Sequence, residues 1–572
     1  MSPDLPPVAP SVTAELVAAL SPRLRKRLDA GVAKLAARPV SREGDTVRIA
    51  VDDDTDVTLR VSGTAVTTAD AIRCGCLLAP DCLHRAAAAS AAPVADDAAP
   101  ESGEVTEEEK ETGTHTGPDP ETVAAARAVY DAAAAVLEAG TDGAGAVLQA
   151  ELLRAAHTAR LAGLPRAFAA AVSVVTEVRS ARSADPGYRL ADLARTLADV
   201  LTVAHRLPRA TGTDLAGLRG TARQPYRPDG SLRLYGLFSE PVLTATGYAG
   251  AVTWTADAEG RLYTVSDVAP GGAARATGAA DRTVRIGDTA LTHRELSRAG
   301  LAVSGATVSP TGRLGAGAAV RAVRASGAAW HAAPLDRLWA VPAAEQVAGA
   351  LNGGQDLLFL EVTLTGTVRE TTGECLLADC AGLPLRLATA HHDPALPYRD
   401  NLRLLAATRG RRLRIIARLA PGQRPRALLL AIEHPTDPAA RVDLGLDRLQ
   451  HADLPTGTPP PPATAPTDDE APLHLLRRRV HQTVSGGRRV LTLTRGGSGD
   501  GARLRHLGLT TAGDLLDTLH TTARDRTRDP FGRLLPTDTH HFTRAWLAAA
   551  VYTDAVEREL CAHAWGAATT PV

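Results

Sequence analysis

Four residues that bind soft metal ions crowd into one short stretch, Arg73-Cys74-Gly75-Cys76-Leu77-Leu78-Ala79-Pro80-Asp81-Cys82-Leu83-His84. The spacing is C-x-C, five residues, then C-x-H. Zinc takes four ligands at tetrahedral vertices, and thiolate with imidazole suits its borderline-soft character. The chain has only 6 cysteines in 572 residues, too few for a disulfide scaffold. Their clustering beside a histidine therefore points to a metal before it points to bridges. Cys74, Cys76, Cys82 and His84 would fill the coordination sphere and leave no position for a bound water. The expected site is structural, not catalytic.

Such a site needs elements that bring its ends together. Gly75 tolerates the dihedrals of a tight turn between two ligands. Pro80 and Asp81 set up a helix start at about Asp81, running to Ser90, so that Cys82 and His84 return from its first turn. Upstream, Val47-Arg48-Ile49-Ala50-Val51 and Val57-Thr58-Leu59-Arg60-Val61 alternate around the turn Asp52-Asp53-Asp54-Thr55 and predict a β-hairpin. Residues 11–38 carry Leu16, Val17, Leu20, Leu24, Leu28, Val32 and Leu35 at helical spacing. Ser11 or Thr13 is the expected cap, and Pro22 an interruption into two helices.

A C-x-C, a variable gap and a C-x-H, after a hairpin and before a helix, resemble the SWIM-type zinc finger of stand-alone bacterial proteins. The match covers about residues 40–90. The resemblance implies zinc on Cys74, Cys76, Cys82 and His84, together with interaction with DNA or protein.

At about 100–200 residues per domain, a chain of 572 residues holds roughly three to five. The reading is a multidomain α+β chain. Residues 1–92 form a small ββα zinc module. Residues 93–120 are an acidic linker (Glu107, Glu108, Glu109 and their neighbours) too poor in apolar side chains to order itself. Residues 121–225 read as a helical domain and 226–345 as β-rich. Residues 346–450 are β-rich and OB-like, with strands expected at 357–368, 374–378, 383–388, 411–419 and 426–432 and an insertion before the fourth. Residues 451–472, with Pro459-Pro460-Pro461-Pro462, form a Pro-rich linker. Residues 473–572 read as an α+β C-terminal domain with strand-like pieces around Gly496-Gly497-Ser498-Gly499, then helices.

Other chemistry is thin. Cys375 and Cys380 on an expected hairpin, Cys561-x-His563 on an expected helix, and the pairs His391-His392 and His540-His541 all read as ordinary structural residues. Gly315-Ala316-Gly317 lacks the third glycine and the βαβ setting of a dinucleotide loop. No phosphate loop, nucleophile elbow or H-E-x-x-H occurs, so no catalytic constellation is recognisable. A net charge of −1 argues against a protein that coats nucleic acid. A local patch remains: Arg23, Arg25, Lys26, Arg27, Arg38, Arg42, Arg48, Arg60, Arg73 and Arg85 accompany the zinc module. No apolar run approaches the roughly 18 residues of a membrane span, and the Pro-rich start lacks a signal peptide's pattern. The expectation is a cytoplasmic, non-enzymatic zinc protein serving as an adaptor for an unidentified protein partner. The alternative is DNA binding through the basic module. No small-molecule substrate and no membrane partner is inferred.

Overall fold

The computed structural model describes residues 5–52, 54–95, 117–221, 226–244, 248–287, 289–317, 320–370, 373–455, 472–493, 499–526, 529–531, 533, 535 and 539–567. Most of the two expected linkers, 93–120 and 451–472, and the segment Gly496-Gly497-Ser498 lie outside these residues. The fold is mixed α+β. The chain divides into two compact units, Met1–Arg223 with Pro472–Thr553, and Gln224–Ala471 with Asp554–Val572.

The first unit opens with α1 (Pro10–Ala18), α2 (Pro22–Arg25) and α3 (Leu28–Ala36). The chain breaks twice, not once. Ser21 caps α2 by accepting from the Leu24 amide at 3.4 Å, and a second turn follows at Lys26-Arg27. Neither Ser11 nor Thr13 caps α1. Pro10 itself starts that helix, where a missing N–H costs nothing, and the Thr13 hydroxyl donates to the Ala89 carbonyl at 3.3 Å.

An antiparallel sheet follows: β1 (Val40–Glu43), β2 (Thr46–Ala50), β3 (Asp56–Arg60) and β4 (Ile72–Cys74), paired in chain order. The expected hairpin is its centre, with Val47 opposite Leu59 and Ile49 opposite Val57. All four side chains are wholly buried. They pack with Leu28, Leu35, Ile72 and the alanines of α4 (Leu83–Ala91). Burial of each large aliphatic contributes about 1.5–3 kcal/mol.

Next come α5 (Pro120–Gly143), α6 (Ala146–Leu161), α7 (Pro165–Arg182), α8 (Leu190–Arg206) and α9 (Gly212–Arg219). Asp119 caps α5, its carboxylate accepting from the Thr122 amide at 2.8 Å, with Pro120 at the first helical position. Helix α8 buries Leu193, Leu197, Val200, Leu201 and Ala204, a stripe of helical period. The sequence separates the N-terminal module from this bundle, yet both lie in one unit. Ala146 and Ala150 of α6 belong to the module's apolar cluster. Asp29 of α3 accepts from the Ala146 amide at 2.8 Å and so caps α6.

In the second unit, β5 (Arg227–Leu243), β6 (Tyr248–Ala256) and β7 (Leu262–Pro270) precede α10 (Gly272–Thr277) and α11 (His293–Leu296). With β8 (Gly300–Val308) and β9 (Arg321–Ala325) they form a sheet of order β7-β6-β5-β8-β9. Helices α12 (Arg337–Ala340) and α13 (Ala343–Leu351) lead to β10 (Leu357–Glu370), β11 (Gly373–Cys380) and β12 (Leu383–Thr389). Then come α14 (Tyr398–Leu405), β13 (Arg412–Leu419), β14 (Arg426–Glu433) and β15 (Arg441–Asp443). Strand β10 pairs with β11 and β13, β13 with β14, and β14 returns parallel to β12. The strands β10–β14 therefore close on themselves around Leu360, Val362, Leu387, Leu413, Ile415 and Leu429.

The chain ends with α15 (His474–Gly486), α16 (Arg488–Leu493), α17 (Asp500–His506), α18 (Thr510–Arg524) and α19 (Thr539–Ala564). The strand-like pieces expected here are not found among the described residues, none of which lies in a strand beyond 472. Helix α15 buries Leu475, Leu476, Arg479, Val480, Thr483 and Val484, a period of 3.6. In Arg488–Leu493 the alternation is deceptive, because the buried pair is Arg488 and Leu491, three apart. Helices α5 and α15 end in close approach. A Cβ on Gly487, which has φ +70°, would stand 2.4 Å from the Glu138 carbonyl oxygen. No helix among the described residues is long and apolar enough to cross a membrane.

One buried polar chain makes the second unit pH-sensitive. His293 is wholly buried. Its Nδ1 lies 2.7 Å from the Thr253 hydroxyl, which lies 2.7 Å from that of Ser239. Burial pulls the His293 imidazole down to about 4, whereas an unfolded histidine titrates near ~6.5. Between those values the unfolded chain holds a proton that the folded chain does not. Acidification through this window therefore costs about 3 kcal/mol at full effect. Asp443 acts oppositely: burial, with Asp447 nearby, pushes its carboxyl up to about 6, so it takes a proton in the fold first and favours the fold as pH falls. Urea unfolding of this unit between about pH 6.5 and 4 should thus lose less stability in His293→Gln than in the parent chain, and more in Asp443→Asn. Identical pH slopes in all three chains would exclude this account.

Candidate metal centre

Strand β4 delivers the first ligand. Cys74 ends it, opposite Val57 of β3. The chain then turns, with the Gly75 amide donating to the Asp56 carbonyl at 3.4 Å and the Ala79 amide to the Cys76 carbonyl at 3.1 Å. Cys82 occupies the N-cap of α4 in an extended conformation, and His84 stands in the first turn. The four ligand atoms all lie within 4.8 Å of one another. Cys74 Sγ is 3.6 Å from His84 Nδ1. These side chains form a Cys3His group able to hold a metal ion, and no other such group occurs among the described residues.

The electrostatics call for a cation. Burial pushes the Cys74 thiol up to about 12, and would-be thiolates at Cys82 and Cys76 add to the shift. Burial raises Cys82 as well. At Cys76 burial opposes ionisation too, but the Leu78 and Ala79 amides and the neighbouring thiols outweigh it and hold that thiol below its ordinary value. Three sulfurs this close ionise together only with a positive charge among them.

Gly75 is not what makes the turn. It does not take a left-handed φ, and a Cβ there would meet nothing within 4 Å. The residue that braces the loop is Arg85. Its guanidinium donates to the carbonyls of Ile72 at 2.5 Å, Pro80 at 2.5 Å and Ala69 at 2.6 Å. Sequence reading placed Arg85 among the surface cations, but it is 6% exposed. No sequence signal marks it: an arginine before Ala86–Ala89 reads as exposed, and it is the carbonyls gathered by the fold that draw it inside.

Three of the other cations gather on one face. Arg48, opposite Thr58, and Arg73, opposite that same Thr58, share the outward face of the sheet with Arg60, opposite Thr46. Asp56 pairs with Arg48 at 2.9 Å. Arg25 folds back onto the Leu20 carbonyl at 3.1 Å. At the tip of the metal loop, Leu77 is 103% and Leu78 62% exposed.

Among the discounted candidates, Cys375 and Cys380 both lie on β11, one arm of the β11–β12 hairpin. Cys561 is buried while His563 is exposed. His540 stacks on Tyr130 with ring centres 5.5 Å apart and pairs with Asp131 at 3.3 Å. His391 accepts from the Asp393 amide. No protein-family model, no curated protein and no solved structure matches this chain.

Proposed function

We propose that Cys74, Cys76, Cys82 and His84 hold one structural Zn2+ in a SWIM-type module, and that the protein is a non-enzymatic adaptor that docks a protein partner on the metal loop. Zinc bonds of about 2.3 Å to sulfur and 2.0–2.1 Å to nitrogen, at the tetrahedral angle, set sulfur and nitrogen about 3.6 Å apart. The Cys74–His84 separation of 3.6 Å supports that ion. Four protein ligands leave it no reacting position, so the zinc would supply rigidity alone.

The observation that carries the adaptor reading is the tip of the loop. Leu77 and Leu78 stand in solvent on a segment braced from below by Arg85 and by the ligands beside them. Two adjacent exposed leucines on a rigid loop present a ready apolar anchor for a protein surface. The closed barrel β10–β14 has the pairing order and the helix insertion of an OB-type module, which supports a second binding element. One observation favours nucleic acid as the alternative partner: Arg48, Arg60 and Arg73 share one face. Asp56 offsets the first of them, and Arg85 is withdrawn to the interior.

The test compares the full chain with Leu77→Ser/Leu78→Ser and with Arg60→Glu/Arg73→Glu. Each is assayed for metal content, for a crosslinked protein partner, and for DNA binding between about 50 and 200 mM salt. The adaptor reading expects a partner lost from the leucine variant at unchanged metal content. DNA binding that falls steeply with salt, and is abolished in the arginine variant only, would replace it.

A further inference from the structure

We propose that the cleft between α14 and strands β11, β12 and β14 binds a small organic anion with an aliphatic body, such as a carboxylate or phosphate ester. The cleft has a volume of about 480 Å³, within the usual range for small-molecule sites of about 300–1,000 Å³. Its floor is aliphatic: Leu376, Leu402 and Leu428 line it, with Ala388 and Ala406. Its rim is cationic: Arg399, Arg403 and Arg426 stand against the single carboxylate of Glu374.

The charge behind the wall is balanced. Glu370 pairs with Arg386 at 3.0 Å and also with Arg426. That carboxylate offsets Arg386, and Arg426 is the guanidinium already counted on the rim. Arg386 is only 3% exposed, so its pairing with Glu370 is weakly screened. At the mouth, Arg399 Nη2 lies 3.5 Å from His392 Nδ1. Arg403 has Asp400 at 3.6 Å, but both side chains are mostly in water, where such a pair is worth little. The rim therefore offers charge-assisted donors to an anion, while the floor offers van der Waals contact to an alkyl chain. No Phe, Tyr or Trp lines the cleft among the described residues. A nucleobase would lack a ring to stack on, and this selects an aliphatic body.

The probe is sodium decanoate below its micelle concentration, titrated calorimetrically into the full chain. Decanol and adenosine monophosphate serve as comparators. Decanoate should bind at one site, with affinity reduced about tenfold or more in Arg399→Glu/Arg403→Glu, the loss of roughly one charge-assisted contact. Both arginines are exposed, so the variant should keep the parent's circular dichroism and melting temperature. Decanol should bind at least about tenfold more weakly than decanoate. Absent decanoate binding, equal affinity in the variant, equal binding of decanol, or tighter binding of the nucleotide would each overturn the proposal.

Discussion

Cys76→Ala in the full chain is expected to abolish stoichiometric zinc and to unfold residues 40–91. Zinc in small finger modules contributes on the order of 10–16 kcal/mol at neutral pH. Whole domains are stable by only about 5–15 kcal/mol. The sheet β1–β4 cannot make up such a loss, because β1 has 4 residues and β4 has 3. Its inward face is Val47, Ile49, Val57, Leu59 and Ile72, closed by alanines of α4. Without the ion, burial keeps the Cys74 and Cys82 thiols protonated, and only the Arg85 hydrogen bonds are left to hold the start of α4 to the end of β4. The loss should also travel. Ala146 and Ala150 of α6 pack in the module's cluster, and Asp29 caps that helix from α3. Hydrogen exchange should therefore rise over β1–β4, α4 and the first turn of α6, while the buried stripe of α8 keeps its protection. A chelator should reproduce this pattern in the parent chain. Unchanged protection over 46–91 in a metal-free variant would remove the structural role.

How much of this was legible follows from the length over which each pattern repeats. Strands β10 and β14 are 14 and 8 residues long, enough for apolar side chains to show their period, and the sequence places both within a few residues. Strands β1 and β4 are too short to show any period, so a four-stranded sheet reads as a hairpin. Arg488–Leu493 fails for the opposite reason. Its local alternation suggests a strand, but tertiary contact with α5 and α18 holds it as helix, and the guanidinium of Arg488 donates to the Thr522, Ala523 and Asp525 carbonyls. The ligand set of the metal centre is legible because all four residues lie in one stretch and their types specify the chemistry. The barrel cleft is not, since its walls come from β11, β12, α14 and β14, which only the closure of the barrel brings together. Near-zero net charge likewise hid a local surplus of arginine there.

The same contrast between ligand and support decides the second large effect, at Arg85. Arg85→Met should leave one zinc bound but lower its affinity about 10- to 100-fold, the usual cost of losing a residue that orients metal ligands. The guanidinium ties Ala69, Ile72 and Pro80 together. Ile72 lies two residues before Cys74, and Pro80 two before Cys82. Removing it frees both arms of the loop and leaves three carbonyls short of a donor in a partly buried setting, at about 1–3 kcal/mol for each one that water cannot reach. A methionine of similar length fills the space without replacing a single hydrogen bond. Arg85→Lys should recover only part of the loss, because one ammonium is a compact charge while a guanidinium presents five donors in a planar fork. Competition against a chromophoric chelator at pH 7 measures the affinity, and thermal unfolding of the same samples reports the module's stability. A ligand variant such as Cys76→Ala should lose the metal outright in this assay. Arg85→Met should instead regain its melting temperature as free zinc is raised, since a weakened site still stabilises by mass action. If Arg85→Met binds zinc as tightly as the parent chain, the fork of hydrogen bonds does not position the ligands, and the loop owes its shape to the metal alone.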